Sequence, residues 1–247
     1  HVELGDVSRH IAMGGSAPDT VMEWAPDGEL LAIGTFLGEL LVVDGWTGAV
    51  QARRQLAETM VKQIRWSTDG QTLYIGEQSP DGQLLALESS TLETIWAIEL
   101  SKWIGSSPLP AGDLYGVYTL PAAYGLELLE DGSLFVAATH AWNGPTGMRQ
   151  NQSILLKISQ DGAVLDQWPD TATDAVFFRT RIVDGLALIP ISKSSPGPSL
   201  TNLPVGGVLV FDVDAFEPHA KVSVEPLAPW FTNAFIWEAL DLGSDGL

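Results

Sequence analysis

The 247-residue chain contains no cysteine, which removes disulfides, thiolate metal sites and cysteine nucleophiles together. Histidine is scarce. The four copies, His1, His10, His140 and His219, show neither metal-ligand spacing nor a paired-histidine helical motif. Basic residues are few, 12 against 31 acidic ones, which leaves a net charge of −19. A surface this negative repels phosphate backbones and anionic lipid, so nucleic acid and membrane surfaces are not expected partners. No run approaches the roughly 18 apolar residues of a membrane span, so direct membrane insertion is not expected either. Also missing are a Gly-x-Ser-x-Gly elbow, a phosphate loop, a dinucleotide fingerprint and a haem-attachment motif. No cofactor is implied.

What the chain does have is apolar substance and punctuation. Hydrophobic residues make up 45% and charged residues only 17%, enough for a well-buried core, with 25 glycines and 15 prolines serving as turn signals. Asp-Gly recurs at Asp27-Gly28, Asp69-Gly70, Asp131-Gly132, Asp184-Gly185 and Asp245-Gly246. Both residues tolerate positive φ, as a tight hairpin requires. A short apolar segment precedes each: Val21–Trp24, Gln63–Trp66, Gly125–Leu128, Phe177–Val183 and Ile236–Leu242. A second follows at Leu30–Gly34, Thr72–Gly76, Leu134–Ala138 and Leu186–Pro190, and a third at Leu40–Asp44, Leu84–Glu88, Ile154–Ile158 and Val208–Asp212. A fourth, more polar strand closes each unit, as at Val50–Leu56 and Thr94–Leu100. Short, nearly continuous apolar runs bounded by turns read as strands buried on both faces.

Four antiparallel strands per unit, with polarity rising outward, is the plan of a β-propeller blade, and the fold class is all-β. Trp24-Ala25-Pro26-Asp27-Gly28 through Val43-Asp44-Gly45-Trp46-Thr47-Gly48, then Trp66-Ser67-Thr68-Asp69-Gly70-Gln71, resemble repeats of the WD40 and YVTN-type propellers. Leu87 to Trp96 is similar to the tryptophan-docking motif of quinoprotein propellers, without its Asp and Gly. The Trp-Asp pair of WD40 repeats is replaced by Val43-Asp44, Leu87-Glu88 and Phe211-Asp212. These motifs mark a fold and carry no chemistry of their own.

Four complete blades are expected, at about 20–56, 60–100, 122–168 and 174–227, with a partial blade at 234–247 and a leftover outer strand at 2–13. Such a ring is incomplete. It leaves unpaired strands, which propellers avoid, so missing chain or another subunit is expected to complete it. The opening at His1 rather than Met reads as a processed product, which with the acidity and low lysine content favours an extracytoplasmic setting.

The long insertions, Ser101–Pro121, Trp142–Gln152, Lys193–Gly206 and Ala228–Ala234, fall in connections from strand d to the next a or from b to c, which share one face. Long loops on a rigid scaffold are frequent sites of function. They carry Trp103, Tyr115, Tyr118, Trp142, Asn143, Arg149, Asn151 and Trp230, with His140 at the end of a b strand beside them. Aromatics, amides and one arginine suit a protein contact or a sugar or peptide groove; the same aromatics equally suit pinning loops to the blade tops. Asn151-Gln152-Ser153 also fits a glycosylation acceptor. The sequence thus reads as a non-catalytic interaction module within a larger assembly. The alternative comes from the resemblance: lactonase-like hydrolases and quinone-dependent dehydrogenases gather metal ligands at the ring centre, and the innermost strands here carry Glu23, Glu127 and Glu238.

Overall fold

The computed structural model of the chain describes residues 21–56, 59–110, 114–145, 149–192 and 206–223. Four antiparallel sheets account for most of them. The first contains β1 (Val21–Trp24), β2 (Leu30–Gly34), β3 (Glu39–Asp44) and β4 (Val50–Gln55). The second contains β5 (Met60–Trp66), β6 (Thr72–Gln78), β7 (Gln83–Glu88) and β8 (Thr94–Glu99). The third contains β9 (Ala122–Leu128), β10 (Leu134–Asn143), β11 (Arg149–Ile158) and β12 (Val164–Thr173). In the fourth, β13 (Val176–Phe177) and β14 (Arg181–Val183) share the inner edge of β15 (Leu186–Ser192), followed by β16 (Gly206–Asp212) and β17 (Glu217–Ser223). Each sheet runs in sequence order from an inner to an outer strand, and the inner strands of successive sheets pack side by side. This is the arrangement of propeller blades, and among the described residues the four sheets do not close into a ring. The expected outer strand at 2–13 and partial blade at 234–247 lie outside the described residues.

The first turn of each blade uses Asp-Gly for a physical reason. Gly28, Gly70, Gly132 and Gly185 have φ of 73°, 70°, 79° and 76°, where a side chain is strained. In three of these turns the aspartate accepts from the amide two residues on: Glu29 N to Asp27 at 2.9 Å, Gln71 N to Asp69 at 3.0 Å and Ser133 N to Asp131 at 2.9 Å. The Ser133 hydroxyl also donates to Asp131, and holds that carboxyl down at about 2. Three further Asp-Gly pairs serve other turns, Asp44-Gly45 between β3 and β4, Asp81-Gly82 between β6 and β7 and Asp161-Gly162 between β11 and β12. The dipeptide therefore marks tight turns in general.

Alternation along each strand sends one set of side chains to the preceding blade and the other to the following one. Between blades 1 and 2 lie Ala32, Leu40, Val42, Ile64, Trp66 and Leu87. Between blades 2 and 3 lie Tyr74, Ala86, Leu126, Val136 and Leu156. Between blades 3 and 4, Phe135, Phe211 and Phe216 form an aromatic trio with centroids 5.1–5.9 Å apart. Trp96 on β8 crosses to the third blade: its Nε1 donates to Gln160 O at 2.7 Å, and its ring lies over Gly162, where a Cβ would come within 2.9 Å of it.

Three local expectations are corrected. The insertion Trp142–Gln152 is mostly strand, because β10 and β11 stay paired out to Asn143 and Arg149. The segment Phe177–Val183 is two short strands, β13 and β14, rather than one. The outer strand of blade 3 continues past Trp168 to Thr173.

Candidate functional site

Because every blade is antiparallel, the b-to-c and d-to-a connections emerge at one end of the strands. The d-to-a connection after blade 2 begins with α1 (Ser101–Ile104) and contains a 3-10 helix at Leu114–Thr119. It is sewn onto the β6–β7 turn by backbone bonds: Leu100 N to Gly82 O at 3.0 Å, Ser101 N to Asp81 O at 3.0 Å and Ser107 N to Pro80 O at 3.1 Å.

His140 fastens this connection to blade 3. It lies on β10, 3% exposed, with Nδ1 2.8 Å from Ile104 O and Nε2 2.8 Å from Ser107 Oγ. A carbonyl only accepts, so Nδ1–H donates to Ile104 O, and in the neutral ring Nε2 accepts a hydrogen bond from the Ser107 hydroxyl. The ring stacks on Trp142 at 4.4 Å and 29°. Gly105, at φ 74°, lets the chain pass this point. A Cβ there would stand 3.4 Å from Gln152 Oε1 and 3.7 Å from His140 Nδ1.

The remaining expected residues divide into groups. Trp103 is half-buried against the core between blades 2 and 3, and its Nε1 donates to Gln167 Oε1 at 3.1 Å. Trp142 is half-buried and Asn143 exposed at the end of the β10–β11 hairpin, with Arg149 paired opposite Asn143 in the backbone. Asn151 is buried and its amide reaches Asp174 O at 3.4 Å, while the Ser153 hydroxyl is bonded to Thr139 at 2.8 Å inside the sheet. The Asn151-Gln152-Ser153 sequence is therefore interior strand, not an accessible glycosylation acceptor. Tyr118 belongs to a separate cluster. It meets Phe36 edge-on at 6.1 Å, and Lys62 Nζ lies 5.1 Å from its ring and 4.8 Å from the Tyr124 ring. Tyr115 is in the same 3-10 helix. Trp230 lies outside the described residues.

Nothing in the sequence marked Ser107, Lys62 or Tyr124: Ser107 is one of three serines in its loop, and the other two read as ordinary strand positions. Gln152 entered only as the end of an inserted loop and the middle of the glycosylation triplet. Arg65 was also missed, and it changes the reading of the inner strands. It is buried, and its Nε and Nη2 donate to Glu127 Oε2 and Oε1 at 3.0 and 2.9 Å, while Nη1 is 3.3 Å from Glu23 Oε2. Two of the three carboxylates expected at the axis, Glu23 and Glu127, are thus engaged by a guanidinium in a bidentate-plus-one arrangement; the third, Glu238, lies outside the described residues. Among the described residues no group of three or more His, Asp or Glu side chains is placed to hold a metal ion.

No protein-family model matches the chain, and no curated protein matches it. Solved structures do. A chain of a mitotic checkpoint complex matches at 12% identity and a TM-score of 0.50, over 81% of this chain and 49% of that one. The Dos1 propeller matches at 16% identity and a TM-score of 0.49, over 78% and 44%. BamB from Moraxella catarrhalis matches at 13% identity and a TM-score of 0.43, over 81% and 62%. This chain spans about half the length of the first two. At such identities the likeness is one of fold, and that fold is the β-propeller.

Proposed function

We propose that the chain is a β-propeller interaction module that binds a protein partner on the face carrying the d-to-a and b-to-c connections around blade 3. One observation carries the reading: a half-buried Trp142 stacked on a fully satisfied, buried His140, beside exposed Asn143 at the end of a ten-residue strand. An aromatic anchor stacked on a ring that buried bonds hold in place loses little freedom on binding, and Trp is a frequent hot spot. His140 spends both nitrogens on Ile104 and Ser107, so it works as a fastener and not as a general base. Glu23 and Glu127 are both ion-paired with Arg65, which disfavours the metal-dependent enzyme reading.

The docking of Trp96 on Gly162 supports the quinoprotein-like side of the family resemblance. An extracytoplasmic setting goes with the acidic composition; no helix among the described residues is long and apolar enough to cross a membrane. The test is the affinity of the complex purified from the native host. Trp142→Ala is expected to weaken it about tenfold or more, as hot-spot truncations do, with Leu165→Ala on the outer strand of blade 3 as the neutral control. Unchanged affinity in Trp142→Ala, or an equal loss in both variants, removes the binding face from this end of the propeller.

A further inference from the structure

Three successive inner strands depart from regular pairing at the same level. On β5 the register shifts between Val61 and Gln63, which leaves Lys62 as the extra residue; on β9 it shifts between Ala123 and Gly125 and leaves Tyr124. Between β13 and β14, residues 178–180 face only Ile189 and Pro190. Lys62, Tyr124 and Phe178 each stand three positions before a member of one ion-paired set, Arg65, Glu127 and Arg181. A bulge takes a side chain out of the strand's alternation and re-aims it. The result here is a row of contacts across three blades: Lys62 Nζ lies 4.8 Å from the Tyr124 ring, and Tyr124 meets Phe178 edge-on at 6.4 Å and 76°.

The row lies at the end of the inner strands nearest the d-to-a connections, and the connection after blade 2 adds Tyr118, 5.1 Å from the same Nζ. Gln78 on β6 fastens the connection to the row: its Nε2 donates to Leu120 O at 3.1 Å and to the Tyr124 hydroxyl at 3.2 Å. Lys62, Tyr118 and Tyr124 are half-buried and Phe178 is buried. An ammonium between two ring faces is partly withdrawn from water, so an anion brought to it gains more than at an open lysine. The flexible four-carbon stem lets the charge move to meet that anion.

The charge of the blades is distributed to match. The a–b and c–d turns hold Asp27, Glu29, Asp69, Glu93, Asp161 and other acids, and no lysine or arginine. Arg54, Lys62, Lys102 and Arg179 stand at the opposite end. A nucleic acid would meet the −19 charge of the chain as a whole. One carboxylate on a peptide needs a single cation, and the apolar atoms beside it have the Tyr118 and Tyr124 rings to lie on.

We propose that Lys62, Tyr118 and Tyr124 receive the carboxylate of an Asp or Glu side chain of the protein partner, whose docking segment is therefore acidic. This rests on the partner-binding reading and gives the same face a second contact point, built from different residues than Trp142.

The probe is an acetylated, amidated tetraglutamate peptide, titrated into the full chain at low ionic strength while the backbone amide resonances of Lys62, Tyr118 and Tyr124 are followed. Tetraglutamine and inorganic phosphate are titrated in parallel. Saturable shifts at the three residues are expected with tetraglutamate alone. Lys62→Met keeps the stem and removes the charge; it is expected to weaken binding about tenfold or more, as loss of a charge-assisted hydrogen bond does. Lys62→Arg is expected to retain binding, and so is Lys102→Met, which removes the same charge from exposed α1. The titration contains no partner, so its failure leaves the Trp142→Ala result standing, and failure at Trp142 leaves the titration to be read on its own. Absence of shifts, equal shifts with tetraglutamine or phosphate, binding that survives Lys62→Met, or binding lost in Lys62→Arg or Lys102→Met overturns the site.

Discussion

Replacing Glu77 by glutamine should stabilise the protein progressively as the pH is raised. Glu77 lies on β6 opposite Val61 and is 4% exposed. Burial pushes its carboxyl from 4.5 up to about 7, against the opposing pull of a Ser79 hydrogen bond and the charge of Arg54. Between those two values the native state keeps a proton that the unfolded chain has released. Stability from this group is therefore fully present below about 4.5, falls through the window, and is gone above about 7. The whole span corresponds to about 3 kcal/mol. Glutamine keeps the shape and does not titrate, so Glu77→Gln is expected to be near neutral at about pH 4 and to gain about 2–3 kcal/mol by about pH 8. Urea unfolding followed by tryptophan fluorescence at several pH values reads the difference between variant and parent. A difference that stays flat with pH refutes the desolvation argument. A loss of stability at the alkaline end would show that pairing with Arg54 outweighs burial.

Two further substitutions probe how the blades are joined. Arg65→Met leaves Glu127 with its bidentate partner gone; a cost of about 3–5 kcal/mol is expected in urea melts, with recovery in Arg65→Met/Glu127→Gln. Gly162→Ala forces a side chain at φ 86° into the Trp96 ring, which is expected to cost of order 1–3 kcal/mol and to shift the Trp96 fluorescence.

The fold was legible in the sequence because three signals agreed. Apolar runs of strand length, Asp-Gly at the first turn and a polar fourth strand recur in phase, and each has a local cause that context does not override. The hairpin of blade 3 was misread as a loop because its outer half, Trp142 to Gln152, is polar and pairs far from the core. Apolarity reports burial between blades, and strand pairing beyond the blades leaves no such mark. Phe177–Val183 was misread for a different reason: its apolar ends were taken as one strand, although the polar Arg179-Thr180-Arg181 between them marks the break between β13 and β14, where Phe178 N donates to Pro190 O at 3.0 Å. The candidate site could be read from the sequence only as a set of connections at one end of the blades. Which aromatics pin and which project depends on partners such as Ser107 and Gln167, brought in from distant segments with no distinguishing pattern.

Adjacent residues on β10 show how that face is held. Thr139 points toward blade 4: its Oγ1 donates to Phe177 O at 3.0 Å, accepts from Phe177 N at 3.1 Å and contacts Ser153 Oγ at 2.8 Å. His140, one step along, points toward blade 2 and holds Ile104 and Ser107. The two-residue period of a strand thus ties three blades together at one level, just below Trp142 and Asn143. The proposed anchor, Trp142, sits directly above this brace, so a partner docking there would spend little contact energy on ordering the platform. A partner that selects this point meets a preorganised surface, whereas the Tyr118–Lys62–Tyr124 cluster is joined by cation–π contacts at 4.8 and 5.1 Å, worth about 0.5–2 kcal/mol each, and is the softer part of the same region.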